Sequence, residues 1–223
     1  MSDDSFIREV DEELRHDQLK SMWSRYGKFV IGTAVLIVAA TAGFRGWEYY
    51  TQSRAASSGD LYLQASQLAE DGKNDEAIAE LEQLGQSGSG QYPALAKLRI
   101  AGEMAAKGDK PAAIEQFEAI AADNSFDGTF REIASLRAGL LSVDTEDYES
   151  VKAKLGPLAA GGQTFRSIAR EALGLAALKA GALEEAANWY RQITDDADSN
   201  EAVKNRANIV LEYLAGNGVS GAG

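Results

Sequence analysis

The chain has 223 residues, 45% of them apolar and 25% charged, with no cysteine and a formal net charge of −12. That apolar share suffices for a packed core, and the lack of cysteine excludes disulfides, thiolate catalysis and cysteine-ligated metal centres. Residues 1–59 carry 7 Lys/Arg against 8 Asp/Glu, whereas residues 60–223 carry 15 against 26; an acidic body of this kind suits neither a phosphate backbone nor an anionic lipid surface, so no nucleic-acid partner is expected.

The first element, residues 1–25, reads as a helical amphipathic head. Phe6, Ile7, Val10, Leu14, Leu19, Met22, Trp23 and, just beyond, Tyr26 keep an approximate three-four spacing along one side. Such a segment lies on a membrane face, packs on a cytoplasmic partner, or simply sets topology. His16, the single histidine, stands between Arg15 and Asp17 and reads as solvent-facing rather than as a ligand or base.

Next comes "KFVIGTAVLIVAATAGFR", in which 16 uncharged residues, Phe29 to Phe44, lie between Lys28 and Arg45. As a helix the run covers ~24 Å, short of a ~30 Å hydrocarbon core. Lys28 and Arg45 extend it by carrying their charges outward on apolar stems, and Trp23, Tyr26, Trp47, Tyr49 and Tyr50 supply aromatic residues at both headgroup levels. The expected transmembrane helix is 26–47. The rival is a cleaved signal, for which Ala40-Thr41-Ala42 offers a site. Against it stand a 28-residue leading segment with seven acidic side chains and the aromatic flank beyond the run. A retained anchor is the stronger reading, ahead of a cleaved signal and of a buried helix in a soluble domain. Arg8, Arg15, Lys20, Arg25 and Lys28 precede the span, and only Arg45 and Arg54 follow closely. The excess of basic residues marks the cytoplasmic side, which puts the N-terminus inside and residues from about 48 onward, beginning with a juxtamembrane linker at 48–58, outside, in the periplasm if the source is a diderm bacterium.

From residue 59 to 216 the sequence resembles itself. "DGKNDEAIAELEQL" (71–84), "KGDKPAAIEQFEAI" (107–120), "DTEDYESVKAKLGPL" (144–158) and "AGALEEAANWYRQI" (180–193) align, with turn positions Gly72, Gly108, Glu146 and Gly181 recurring 36, 38 and 35 residues apart. Small residues recur in step at Ala65, Ala101, Gly139 and Gly174 before each turn and at Ala77, Ala113, Val151 and Ala186 after it. Large ones follow at Leu81, Phe117, Leu155 and Tyr190, then at Leu84, Ile120, Leu158 and Ile193. A period near 36 built from two helices and a tight turn is the mark of a stacked helical-hairpin solenoid. The small residues let the two helices of a hairpin approach, the large ones are expected to fill the space between hairpins, and the turn glycines accept the left-handed backbone that ends each first helix. "SNEAVKNRANIVLEYLAG" (199–216) reads as a terminal capping helix, with Ser199 or Asn200 as cap and Gly216 as stop, and residues 217–223 as a flexible tail.

The expected fold is therefore all-α: one N-terminal transmembrane helix, then a solenoid of hairpins with a C-terminal cap. This layout resembles the tetratricopeptide repeat, best in the fourth unit, where Leu173-Gly174, Gly181, Ala186, Tyr190 and Ile193 fall at that family's intervals. The other units lack its opening tryptophan and closing proline, and the third lacks the turn glycine. Taken with the charged head, the single span and "GFRGWEYY" at the membrane exit, the chain resembles the ancillary subunit family of the SecYEG translocon. That resemblance implies a single-pass protein of the bacterial inner membrane, partnered by channel subunits, periplasmic chaperones and emerging polypeptide. By the repeat family's pattern, Leu98, Arg99, Leu136 and Arg137 face a concave partner-binding side, where arginine beside leucine suits a chain segment offering apolar side chains and a carboxylate. The alternative for these arginines is ion pairing between helices.

No constellation for catalysis is present: there is no H-E-x-x-H, G-x-S-x-G or Walker loop, and no histidine or cysteine outside the head. No catalytic residue, metal, cofactor or small-molecule substrate is expected. "GQSGSG" (85–90) reads as a flexible loop between repeats, and "DDADSN" (195–200) as a solvated turn rather than a calcium loop. Two functional classes remain: a tethered, chaperone-like adaptor at the export channel, or a scaffold of another envelope assembly such as cell-wall synthesis or division.

Overall fold

The computed structural model describes residues 3–219, with side chains from Lys20 onward except Ser21. The apolar face expected of the head before Met22, and the setting of His16, fall outside the described side chains; residues 220–223 of the expected tail lie outside the described residues. Every regular element among the described residues is a helix, and the chain divides into two units, 1–54 and 55–223.

The first unit belongs to α1 (Asp3–Glu70), which is helical through the expected span and through the expected linker at 48–58. Met22–Glu70 contains a stretch long and apolar enough to cross a membrane, almost none of it buried within the protein. A core helix of a soluble domain would be covered; here Phe29, Leu36 and Trp47 are all about 70% exposed (74%, 69% and 68%). Thr41 in the middle of the run donates its hydroxyl hydrogen to the Ile37 carbonyl at 2.8 Å. Its polar atom is thus satisfied inside its own helix, as a hydrocarbon environment requires.

The second unit takes up the end of α1 and continues through α2 (Asn74–Ser87), α3 (Tyr92–Ala106), α4 (Lys110–Ala122), α5 (Gly128–Thr145), α6 (Tyr148–Ala159), α7 (Arg166–Lys179), α8 (Leu183–Thr194) and α9 (Glu201–Gly216). Its core comes in four clusters of one design. Ala65, Leu81, Leu84, Ala96 and Ile100 join α1, α2 and α3; Ala101, Phe117, Ile120 and Ala138 join α3, α4 and α5. Val151, Leu155 and Leu173 belong to the cluster of α5, α6 and α7, and Ala186, Tyr190, Ile193 and Leu211 to that of α7, α8 and α9. Each hairpin thus completes its core only with the first helix of the next, so stability is a chain of neighbour terms. α9 closes the last cluster and has no partner helix of its own, which makes it the cap.

The expected small and large positions are all buried, but the large residues do a different job from the one read in the sequence. A Cβ at Gly174 would lie 2.6 Å from the Tyr190 ring, and one at Gly139 would collide with Leu155. The large residue of the second helix therefore sits directly on the small residue of the first, within one hairpin, in addition to bordering the next.

Turns one, two and four end in glycines with φ of 77°, 92° and 75° at Gly72, Gly108 and Gly181. In each, the N–H of the following residue returns to a carbonyl five residues back: Lys73 to Leu68, Asp109 to Met104 and Ala182 to Ala177, at 2.9–3.0 Å. The third turn, lacking glycine, leaves α5 through an extended Glu146, and Asp147 caps α6 by accepting from the Ser150 N–H at 2.8 Å.

One loop reading needs correction, and two gain detail. α2 continues through Gly85-Gln86-Ser87, and Ser89 is pinned by its N–H donating to the buried Ser58 hydroxyl at 3.0 Å, so the glycine-rich loop is short and fastened. Helix α9 ends at Gly216 as expected, and Gly218, two residues on, holds the left-handed φ of 81°. Its cap is Asn200, accepting from the Ala202 N–H at 2.8 Å, while Ser199 bonds Ser167 instead. Finally, the turn at 195–200 is open to solvent at Asp195, Ala197, Asp198 and Asn200 but fastened at Asp196. Asp196 takes Arg166 at 2.6 and 3.0 Å and Arg170 at 2.8 Å.

Polar pairs about one period apart tie successive hairpins. Lys107 meets Asp75, Lys110 meets Asp144 at 2.7 Å, Lys154 meets Glu118, and Arg206 grips Glu171 through two bonds of 2.6 and 2.8 Å.

Candidate functional site

α3 carries Leu95, Leu98, Arg99, Gly102 and Glu103 at the i, i+3, i+4, i+7, i+8 spacing of one helix face. α5 brings Phe130, Ile133 and Arg137 at i, i+3 and i+7. With Tyr62 of α1 and Phe117 of α4 they enclose a groove of about 420 Å³. Its depth has a local cause: a Cβ at Gly102 would meet nothing within 4 Å, so the glycine leaves open the space a side chain would fill.

Of the four residues expected at a partner-binding side, the groove brings together Leu98, Arg99 and Arg137. Leu136 lies elsewhere, 7% exposed in the core with Val143, Val151 and Leu155. Neighbouring helical residues point ~100° apart, and the turn of α5 that aims Arg137 into the groove aims Leu136 at α6 and α7. Leu95, Phe130, Ile133 and Glu103 were not singled out in the sequence, although stepping back three residues from Leu98, and four and then seven from Arg137, finds the first three.

The two arginines differ in state. Arg99 places Nε 2.6 Å from Oε1 of Glu103, whose side chain is only 8% exposed. The contact is electrostatic without hydrogen-bond alignment, since that buried Nε–H has no acceptor. This ion pair lies within one helix, not between helices. Arg137 is exposed and, among the described residues, makes neither an ion pair nor a hydrogen bond.

The other concentration of charge is already satisfied. Around Asp196, Arg166 also reaches Asp198 at 2.9 Å, and Arg170 donates to the carbonyls of Ala159 and Gln192 at 2.9 and 3.0 Å. The Arg166 hydrogen bonds, against the opposing effect of burial and with help from the Asp198 N–H and Arg170, hold the Asp196 carboxyl well below the usual range. The cluster ties the loop before α9 to α7 and leaves no free donor set for a ligand. Burial, with the nearby Glu171 charge, pushes the Tyr190 phenol up to about 12, so it remains a neutral packing group over Gly174. Among the described residues, no three His, Cys, Asp or Glu side chains converge as a metal site would require.

The sequence matches the tetratricopeptide repeat-like domain family over residues 20–216. The chain belongs to that family. The match includes the apolar part of α1 as well as all four hairpins and the cap, so apolar helix and repeats form one family unit. A comparison with curated proteins finds no match. Tetratricopeptide repeat-like domains are protein–protein interaction modules and are typically not enzymes, and the groove in this one has the make-up of a protein-binding surface: an apolar floor, aromatic walls and few fixed charges.

Proposed function

We propose that the protein is a single-pass inner-membrane interaction module associated with the SecYEG export channel. Residues 26–47 span the bilayer, residues 1–25 lie in the cytoplasm, and the repeat body lies in the periplasm, where it binds partner proteins or emerging chains without covalent chemistry. The observation that carries this reading is the union, in one family match, of an exposed helix long enough to cross a membrane with an interaction-type repeat body. The excess of Lys and Arg before the span supports the orientation. A tether confines the body to the membrane surface and raises its effective concentration near chains leaving the channel.

Site-specific photo-crosslinking from positions 99 and 137 in intact membranes, followed by purification in mild detergent, tests this. Channel subunits and periplasmic chaperones are the expected products. Recovery of cell-wall or division proteins in their place contradicts the assignment to export.

A further inference from the structure

We infer that the groove between α3 and α5 selects mainly apolar segments that carry a single acidic side chain, and that Arg137 reads the acid. The inference rests on the body being an interaction module, but not on which membrane complex it serves. Three observations carry it. The floor is apolar and half open: Leu95, Leu98, Phe130 and Ile133 line it and are neither fully exposed nor fully buried. Against this floor the groove's two arginines do not compete equally for a ligand. Glu103, buried beside Arg99, already offsets that charge, whereas Arg137 has no partner among the described residues. The groove therefore presents one uncommitted cation.

The third observation is charge balance. The body as a whole carries 15 basic against 26 acidic residues from position 60 on, so a densely acidic ligand is repelled while one carboxylate placed at Arg137 is attracted. A planar guanidinium with free donors accepts a carboxylate through paired hydrogen bonds, which are stronger and more directional than neutral ones. A basic residue in the same place meets Arg137 with like charge and is rejected.

The test uses the full-length protein in detergent micelles and fluorescence anisotropy with a short labelled peptide, amidated at its C-terminus, bearing leucine, phenylalanine and one glutamate. Matching peptides carry glutamine or lysine in place of the glutamate, and a fourth carries glutamine with a free C-terminal carboxylate. The glutamate peptide is expected to bind about tenfold more tightly than the glutamine peptide, the ordinary scale of a charge-assisted bond, with the lysine peptide weakest. Arg137→Gln removes the glutamate advantage and leaves the glutamine peptide unchanged, whereas Arg191→Gln, on α8 outside the groove, changes nothing. A Cβ at Gly102 meets nothing within 4 Å, so Gly102→Leu extends into the open groove and weakens every peptide while the melting temperature holds. Equal binding of the glutamate and glutamine peptides overturns the inference, as does a preference that follows the free C-terminus or survives Arg137→Gln. So does binding indifferent to Gly102→Leu, or no binding at all. If crosslinking from 99 and 137 still captures partners in those cases, the module reading stands and only the acid selectivity fails.

Discussion

Leu36 and Leu81 are the same side chain in the same secondary structure, yet one is 69% exposed and the other 0%. Around Leu36 the helix is apolar on every side, with Val35, Ile37 and Val38 also open. Around Leu81 the neighbours alternate, with Glu82 and Gln83 exposed and Leu84 buried. The body draws its stability from apolar area removed from water by other helices. Among the described residues that apolar stretch has no such partner, and it is long and apolar enough to cross a membrane. Glycine shows the same split. Added Cβ atoms at Gly32, Gly43 and Gly46 meet nothing within 4 Å, whereas those at Gly139 and Gly174 meet packed side chains. At the repeat's small positions glycine is a contact surface; at Gly32, Gly43 and Gly46, as at Gly102 in the groove, it is spare room.

That contrast can be broken from either side. The largest effect is expected from Leu36→Arg, which places a charge at the middle of the span and costs about 3 kcal/mol of insertion. The alkali-resistant membrane fraction should collapse while the melting of the body stays unchanged. Gly174→Val, by contrast, drives a branched side chain into Tyr190 and should lower body stability by about 1–3 kcal/mol in a thermal melt; Gly43→Val should leave the same melt untouched. A sharper contrast within the body comes from acid. Because the folded Asp196 carboxyl titrates below its unfolded value, its contribution is complete above the unfolded pKa and is lost as pH falls from about 5 downward. Melts taken at decreasing pH should show this loss, and Asp196→Asn should be less stable at neutral pH but flatter across the acid range. The smallest effect belongs to Lys107→Ala, which removes an exposed pair with Asp75 and should cost under about 1 kcal/mol, less still at high salt.

The repeat was legible because neighbouring hairpins pack by local rules. Ala65, Ala101, Gly139 and Gly174 mark one buried position four times over, and nothing distant alters it. What escaped depended on closure in three dimensions. The acids of 195–200 looked free because Arg166 and Arg170 approach them from 26 to 32 residues away. Helix α9 ends at Gly216, but the left-handed backbone that follows it falls at Gly218. At the groove, the residue types were readable, but the repeat's position numbers set Leu136 and Arg137 together. Their ~100° divergence on α5 separates them, and neither the pairing of Arg99 within its own helix nor the hollow at Gly102 follows from composition.

The claim on which the functional reading turns is a retained helix with its two flanks on opposite sides of the bilayer. Since the chain has no cysteine, single substitutions Ser5→Cys and Asn205→Cys can be probed with a membrane-impermeant maleimide on spheroplasts, with the mass of the labelled chain read at the same time. The account predicts labelling at 205 without lysis, labelling at 5 only after lysis, and an uncut chain in both. Labelling at 5 in intact spheroplasts, protection at 205, or a mature chain beginning near Gly43 would contradict it.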